Sequence, residues 1–184
     1  MAAMRTEGLL IALLAAPLAF ADLADCVCDP GVPLSMQARE CGLSREAAAQ
    51  PSNLPTFFLK DINPRKPNRW LALPSAVRKG VHNLAGMTPQ ERLQLWTAAI
   101  RKAQELWGDE WGLAFNGDDV RTQCHPHVHI GKLLKGVETG NFVVLSGPAE
   151  IPLPAEGTGL WIHPQGKQLH VHLGEQLTET VLLR

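Results

Sequence analysis

Residues 121–130 read RTQCHPHVHI and place His125, His127 and His129 at every second position. In a β-strand, successive side chains point to opposite faces of the sheet, so this period predicts that the three imidazoles share one face. The apolar residues between them would turn to the other face. The stretch is therefore predicted to be a strand that presents a candidate site on one side and packs against a core on the other.

Partners for this strand lie on both sides of it in the sequence. Alternating apolar runs predict strands at Thr56–Lys60 and Arg69–Pro74, joined as a hairpin, and a third strand at Trp111–Phe115. The Asn116–Asp119 turn is predicted to join this third strand to the histidine strand in a second hairpin. Four further strands are predicted beyond Leu134: Asn141–Leu145, Leu160–Ile162, Gln168–Leu173 and Thr178–Leu183.

One long helix is predicted between the two hairpins. Thr88 and Glu91 form a capping box around Pro89, and Gly108 follows the last turn. Apolar residues recur in it at helical spacing, namely Leu93, Trp96, Ile100, Ala103 and Trp107. This stripe is predicted to pack on the sheet rather than to bind a ligand. The elements together predict an α+β fold, an antiparallel sheet with a long packing helix and a C-terminal all-β extension.

The beginning of the chain and its charge indicate where the protein works. A formal net charge of −1 over 184 residues provides no basic field for nucleic acid or an anionic membrane. Residues 1–21 resemble a secretory signal peptide, in which Arg5 precedes an apolar run and Ala21 completes a small-x-small cleavage site. The apolar run has 13 residues, against roughly 20 for a bilayer span, so no stable membrane anchor is expected. The mature protein is predicted to be secreted or periplasmic, cleaved near Ala21. The predicted segments are a signal peptide (1–21), a disulfide-pinned segment (22–55), a core (56–134) and the β extension (135–184).

An oxidising compartment favours disulfides for the four cysteines, Cys26, Cys28, Cys41 and Cys124. Cys28 with Cys41 would close a loop of 12 intervening residues, and Cys26 with Cys41 is the competing pair. By the chain-entropy estimate such a loop stabilises the fold by roughly 3 kcal/mol. Zinc held by the first three cysteines and a histidine is the alternative, although Cys-x-Cys is a poor spacing for structural zinc.

Three accounts fit three histidines on one strand face. Imidazoles can bind a transition metal, attack phosphorus as nucleophiles, or pack as a satisfied polar layer. The spacing alone favours a metal. The neighbouring residues Asn116, Arg121, Thr122 and Gln123 supply amide, guanidinium and hydroxyl donors, which suit a phosphate under attack, whereas a metal site would more naturally include a carboxylate.

The same residues resemble the histidine-triad (HIT) superfamily. Asn116, Gln123 and the alternating histidines follow its pattern, and residues 121–130 are similar to its CDP-diacylglycerol pyrophosphatase branch. The order of the cysteine pair Cys28 and Cys41, the first hairpin, the long helix and the third strand extends the likeness over roughly residues 26–134.

The resemblance implies a HIT-like sheet and an enzyme that cleaves a phosphoanhydride without a metal or other cofactor. His127 would be the nucleophile that forms a nucleotidyl-histidine on a nucleotide or nucleotide-conjugate substrate. His129 would hydrogen-bond phosphate or assist the leaving group, and His125 would orient His127 through its backbone carbonyl. Asn116 and Gln123 would bind phosphate or the scissile oxygen. The family often dimerises, so a homodimer is compatible with the resemblance.

Two departures from the family pattern keep a second interpretation open. Arg69 stands where many relatives carry another histidine, and it could bind phosphate but cannot act as a base. Pro126 replaces the usual apolar residue between the first two histidines and removes a backbone donor. A nucleotide-binding relative without turnover is the alternative that these departures motivate.

A second histidine group, His163, His170 and His172, lies in the β extension. A hairpin there could bring the three together, with Glu175 and Glu179 nearby, which is the composition of a metal site. A secreted, histidine-rich metal-binding β protein of cupin-like character is therefore the competing function. Simple alternation along the strand equally predicts that His170 and His172 face solvent.

Overall fold

The computed structural model describes residues 40–51, 53–75 and 81–184. Over these ranges the chain is a mixed α+β protein with one seven-stranded antiparallel sheet and two α-helices, which confirms the predicted class. The strands are β1 (Thr56–Lys60), β2 (Trp70–Pro74), β3 (Trp111–Phe115), β4 (Val128–Lys132), β5 (Val143–Leu145), β6 (Gly159–Gln165) and β7 (Gln168–Glu175). The helices are α1 (Gly42–Ala48) and α2 (Pro89–Trp107), with short 3-10 turns at Pro148–Glu150 and Thr178–Val181.

The strand order β1-β2-β4-β3-β6-β7-β5 makes the extension part of the same sheet. β6 pairs with β3, and β7 returns beside β6 through a two-residue turn at Gly166 and Lys167. Gly166 has a φ of +61°, a conformation that a residue without Cβ adopts at no steric cost. The first hairpin, β1 with β2, is confirmed in full register from Thr56 opposite Pro74 to Lys60 opposite Trp70.

Helix α2 covers one face of the sheet. Its capping box is present as predicted, since the Thr88 hydroxyl accepts from the Glu91 backbone while the Glu91 carboxylate accepts from the Thr88 backbone. The buried residues of α2 are Leu95, Trp96, Ala99 and Ala103. Of the predicted stripe, only Trp96 and Ala103 are fully buried. Ile100 and Trp107 are partly buried and pack against the edge of the hydrophobic core. The main core therefore lies between α2 and the apolar side of β2, β3, β4, β6 and β7.

The other face is covered by two smaller pieces. Helix α1 packs through Ala47 on Leu71 and Leu73 of β2. The 3-10 turn Thr178–Val181, hereafter the C-terminal turn, leads into Leu182, which packs with Val181 on Ala114 and Trp161. Both histidine groups lie on this face.

The prediction of a strand at Thr178–Leu183 is wrong, because most of the segment forms the C-terminal turn. Leu182 lies over Gly112 and Gly131, which are directly paired across β3 and β4. A Cβ added at Gly112 would come within 2.5 Å of the Leu182 side chain. The segment thus packs over this pair of glycines and makes one antiparallel bridge, from Leu182 to Leu133 just beyond β4.

Several predictions concern the N-terminal region. The signal peptide at 1–21 and Cys28 lie outside the described residues. Cys41 and Cys124 are both disulfide-bonded. Within the described ranges, neither α1 nor α2 is long and apolar enough to cross a bilayer.

Candidate functional site

A single row of residues runs across the sheet and links the two histidine groups. Reading from β2 to β7, the Cα partners are Leu71, His129, Ala114, Trp161 and His172. Directly paired residues in an antiparallel sheet point to the same face. His129 and His172 therefore share a face and are separated by two intervening strands.

The three histidines at 125, 127 and 129, hereafter the triad, do not share one strand. β4 begins at Val128, so the expectation that residues 121–130 form one continuous strand is wrong. Pro126 has no backbone N–H to donate to a ladder. Backbone hydrogen bonds instead tie this stretch to Glu40, whose N–H donates to Thr122 O at 2.9 Å and whose carbonyl accepts from Cys124 N at 3.1 Å.

Hydrogen bonds to backbone carbonyls fix the first two triad rings. His127 Nδ1 lies 2.9 Å from the His125 carbonyl, and His125 Nε2 lies 2.7 Å from the Pro74 carbonyl. A carbonyl only accepts, so these ring nitrogens carry the protons. His127 is therefore the Nδ1–H tautomer, with its lone pair on Nε2. Among the residues described, Nε2 of His127 has no hydrogen-bond partner.

All three triad rings are buried, and the pKa of each is depressed. Burial is the main cause for His125, opposed by its hydrogen bond to Pro74. Burial, and then the neighbouring His129, hold the pKa of His127 well below its ordinary value. Burial together with the cations of Lys66 and Arg69 lowers the pKa of His129 to about 3. The triad is thus neutral near pH 7, as a nucleophilic imidazole requires.

A charged cluster supports His129 from the C-terminal turn. The Glu179 carboxylate accepts from Lys66 Nζ at 2.7 and 2.8 Å and from Arg69 Nη1 at 2.6 Å. His129 Nδ1 lies 3.5 Å from the same carboxylate, longer than a hydrogen bond of ordinary length. The rings of His127 and His129 meet edge to face with centroids 5.0 Å apart.

A cleft of about 580 Å³ opens onto the triad. His127 and His129 lie in its wall with Lys60 and Lys66. The acidic and polar residues of the lining include Glu40, Glu46, Asp61, Thr122 and Gln123, and the apolar ones are Leu43, Leu59, Ile62 and Leu71. The volume falls within the usual range for a small-molecule site, roughly 300–1,000 Å³.

The residues predicted to bind phosphate occupy different surroundings. Gln123 and Thr122 line the cleft, and the Gln123 side chain accepts from Leu43 N at 3.1 Å and donates to Glu40 at 2.6 Å. Asn116 Oδ1 accepts from the Thr178 hydroxyl and from Glu179 N, so it holds the C-terminal turn. Arg121 is buried, pairs with Asp118 and stacks over the Phe115 ring at 4.8 Å.

Arg69, the other predicted phosphate ligand, is also engaged with the C-terminal segment. Besides Glu179 Oε2, its guanidinium donates to the carbonyls of Glu179, Leu182 and Leu183 at 2.6 to 3.1 Å. The side chain is buried, with 2% of its surface exposed. Arg69 thus acts on the triad through Glu179 and through its field at His129.

The hairpin β6–β7 gathers the second histidine group. His163 and His170 are directly paired, and their ring centroids are 5.2 Å apart. The ring of His172 stacks on Trp161 at 3.5 Å. Neither predicted carboxylate joins them, because Glu175 accepts from Trp161 Nε1 and Glu179 lies at the triad. The carboxylate here is Glu138, whose Oε1 lies 2.6 Å from His170 Nδ1 and 3.4 Å from His163 Nε2.

The expectation that His170 and His172 face solvent is wrong for His172, which is 1% exposed. The alternation of side chains along the strand placed these histidines on the correct face of the sheet. It could not show that loops and neighbouring rings cover that face. Sequence reasoning also missed Lys66, Glu138 and the role of Glu179 beside the triad. In the sequence these residues stand out only as charged residues in loops or turns, and charged residues are common on the surface of any protein.

Comparison of the chain with models of known protein families and with curated proteins finds no match.

Proposed function

We propose that this protein cleaves a phosphoanhydride in a nucleoside diphosphate conjugate, by hydrolysis or nucleotidyl transfer, through a covalent nucleotidyl-histidine on His127. The observation that carries the proposal is the state of that ring. Its Nδ1 donates to the His125 carbonyl at 2.9 Å, and its Nε2 lone pair belongs to a residue in the wall of the 580 Å³ cleft. This is the arrangement that the HIT resemblance implies.

The reaction balances with the groups present. The His127 Nε2 lone pair attacks phosphorus, a P–N bond forms, and the bond from phosphorus to the bridging oxygen breaks. The ring gains positive charge while it keeps the Nδ1 proton, and the His125 carbonyl stabilises that charge. In the second step water or another hydroxyl acceptor attacks phosphorus and releases its proton to solvent, the P–N bond breaks, and the neutral ring is restored.

His129 suits a leaving group that departs as an anion. A phosphate leaving group needs hydrogen bonds more than a full proton, because its oxygen is weakly basic. A pKa of about 3 keeps His129 neutral at working pH, so its ring can still offer one N–H. The nearby Lys66 adds positive potential to the cleft wall, although Glu179 shares that charge.

The mixed lining of the cleft suits a substrate that carries both phosphate and sugar. Lys60 and Lys66 attract the phosphates, while Glu40 and Asp61 are acceptors for hydroxyl groups. We infer that a CDP-diacylglycerol-like conjugate belongs to this class and that the mature protein meets it in a secreted or periplasmic space. Binding without turnover is the competing outcome.

Intact-mass spectrometry can test the proposal. The protein is mixed with a panel of nucleoside diphosphate conjugates for short times and quenched in base, since a phosphoramidate is labile in acid. We expect a mass increase of one nucleotidyl group, located on His127 by peptide mapping. Nucleotide binding with neither adduct nor product would select the non-enzymatic alternative.

Chemical rescue separates a nucleophile from a structural histidine. The His127→Gly variant should lose turnover and regain part of it when free imidazole is added, because the added ring can occupy the vacated space. His125→Gly is the matched control. It also loses a buried ring, but that ring donates to the Pro74 carbonyl and does not line the cleft. Equal rescue of both variants would argue against His127 as the nucleophile.

A further inference from the structure

We propose that Glu138, His163 and His170 form a binding site for a divalent transition metal of the zinc class, separate from the triad. These three residues are hereafter the tail cluster. Each of the three offers one donor atom, and these atoms lie within 4.8 Å of one another. Two come from paired positions of β6 and β7, and the third comes from the connection between β4 and β5.

In the His163 ring, the nitrogen that carries the lone pair lies next to a carboxylate. His163 Nδ1 lies 3.2 Å from the Pro164 carbonyl, which can only accept, so the proton is on Nδ1. Nε2, which then carries the lone pair, lies 3.4 Å from Glu138 Oε1. Two acceptors facing each other with no proton between them repel. A cation between them turns that repulsion into two bonds.

Burial makes this arrangement harder to explain without an ion. His163 is 3% exposed, and its Nε2 has no hydrogen-bond partner among the residues described. A buried polar atom of this kind usually has a partner, and leaving it without one costs free energy. Glu138 is 40% exposed, so an ion can enter from solvent on that side.

Two of the three donor distances can be compared with those around a small tetrahedral ion. Ligands about 2.0–2.1 Å from a tetrahedral zinc ion lie roughly 3.3–3.4 Å apart. The Glu138 to His163 distance already matches at 3.4 Å. The Glu138 to His170 distance is 2.6 Å, a hydrogen bond that opens when the ion replaces the Nδ1 proton. That proton moves to Nε2 of the same ring, so the imidazole stays neutral.

Donor chemistry selects the class of metal. Two imidazoles and one carboxylate suit zinc and its neighbours, whereas magnesium and calcium prefer all-oxygen shells. His172 is not part of the group whose donor atoms lie within 4.8 Å of one another, and its ring is stacked on Trp161. Three protein ligands leave one position for water.

The ion would fasten a loop to the hairpin. Glu138 lies between β4 and β5, and Phe142 of the same connection stacks on His170 with centroids 4.1 Å apart. Metal binding would therefore hold this connection against β7 and raise the thermal midpoint of the whole domain.

Calorimetry and cobalt spectroscopy on the untagged full chain test the proposal. After treatment with a chelator, zinc should bind with one ion per chain, and cobalt should give the strong visible absorption of a four-coordinate site. Glu138→Gln and His170→Gln should each weaken binding by more than the roughly 10–100-fold that loss of an outer-shell partner costs. Glu138→Gln changes an exposed side chain, so folding should survive it.

Two control variants locate the site. His82→Gln removes a histidine far along the chain from the tail cluster, and His127→Gln removes the triad nucleophile; both should keep the affinity of the unmodified protein for zinc. Zinc binding lost in His127→Gln and kept in Glu138→Gln would move the metal to the triad and overturn the proposal. Failure to bind zinc or cobalt would also overturn it, and neither result depends on whether His127 forms an adduct.

Discussion

The triad and the tail cluster lie on the same face of one sheet, yet their imidazoles meet different partners. At the triad, backbone carbonyls accept from His125 and His127 and leave a lone pair on a residue of the cleft wall. At the tail cluster, the lone pair of His163 faces the carboxylate of Glu138. A neutral imidazole facing a cleft can attack, whereas one facing a carboxylate is arranged to share a cation. The difference shows that the partner of each ring nitrogen, rather than the number of histidines, indicates the chemistry.

The largest expected effect separates the two sites by activity. His127→Gln should lower turnover of a nucleoside diphosphate conjugate by roughly 10⁴-fold or more, the scale seen when a catalytic nucleophile is removed. Glu138→Gln should leave turnover unchanged. Initial rates on matched protein samples measure both. An equal loss in the two variants would mean that the sites act together.

The next effect concerns the charged support of the triad. Glu179→Ala removes the only carboxylate that the described residues bring to both Lys66 and Arg69. Arg69 is 2% exposed, so the variant leaves a buried positive charge without its carboxylate partner. This should lower the free energy of unfolding by about 3–5 kcal/mol. Urea unfolding measures the loss.

Glu105→Ala is the matched control for that experiment. It breaks an ion pair with Lys102 on the surface of α2, where Glu105 is 64% exposed, and should change stability by at most about 0.5 kcal/mol. Similar losses in both variants would show that Glu179 does not hold buried charge.

Acid should destabilise the folded triad. The unfolded chain binds protons on its histidines below about pH 6.5, while the pKa of folded His129 is about 3. Between these values the unfolded state holds more protons, so the free energy of unfolding falls as the pH falls. The loss is at most about 1.4 kcal/mol per pH unit for each such histidine.

Urea unfolding at pH 7 and pH 4.5 measures this loss, and His129→Asn should show a smaller one.

Turnover should follow the depressed pKa of His127, with its acid limb below the ordinary range of histidine. An acid limb centred near pH 6.5 would contradict the burial of the nucleophile.

The smallest effect isolates the tail cluster. In metal-free protein, Glu138→Gln should change the free energy of unfolding by less than about 1 kcal/mol, since the side chain is partly exposed. With zinc present, the unmodified protein should melt at a higher temperature and the variant should not. Thermal melts with and without chelator measure both, and equal responses to zinc would argue against Glu138 as a ligand.

Local signals in the sequence predicted much of this molecule. The capping box at Thr88 and Glu91 and the turn at Gly166 depend on neighbours within a few residues, so their structure follows from local chemistry. The face on which His129, His163, His170 and His172 lie follows from the period of two in β4, β6 and β7.

Contacts between distant residues could not be predicted. Glu179 reaches the triad only because the C-terminal turn packs over Gly112 and Gly131 of two other strands. Glu138 joins His163 and His170 through a loop with no periodic pattern. Pro126 interrupts the expected strand, and its position alone did not reveal that Glu40 would pair with the preceding residues.

Nitrogen-15 NMR of the histidine rings tests the central comparison most directly. In metal-free protein at pH 6.5, His127 should appear as a neutral ring protonated on Nδ1, and His163 should also carry its proton on Nδ1. Added zinc should shift Nε2 of His163 and Nδ1 of His170 and leave His127 unchanged. A His127 ring that is charged or protonated on Nε2, or that responds to zinc while His163 does not, would contradict the account.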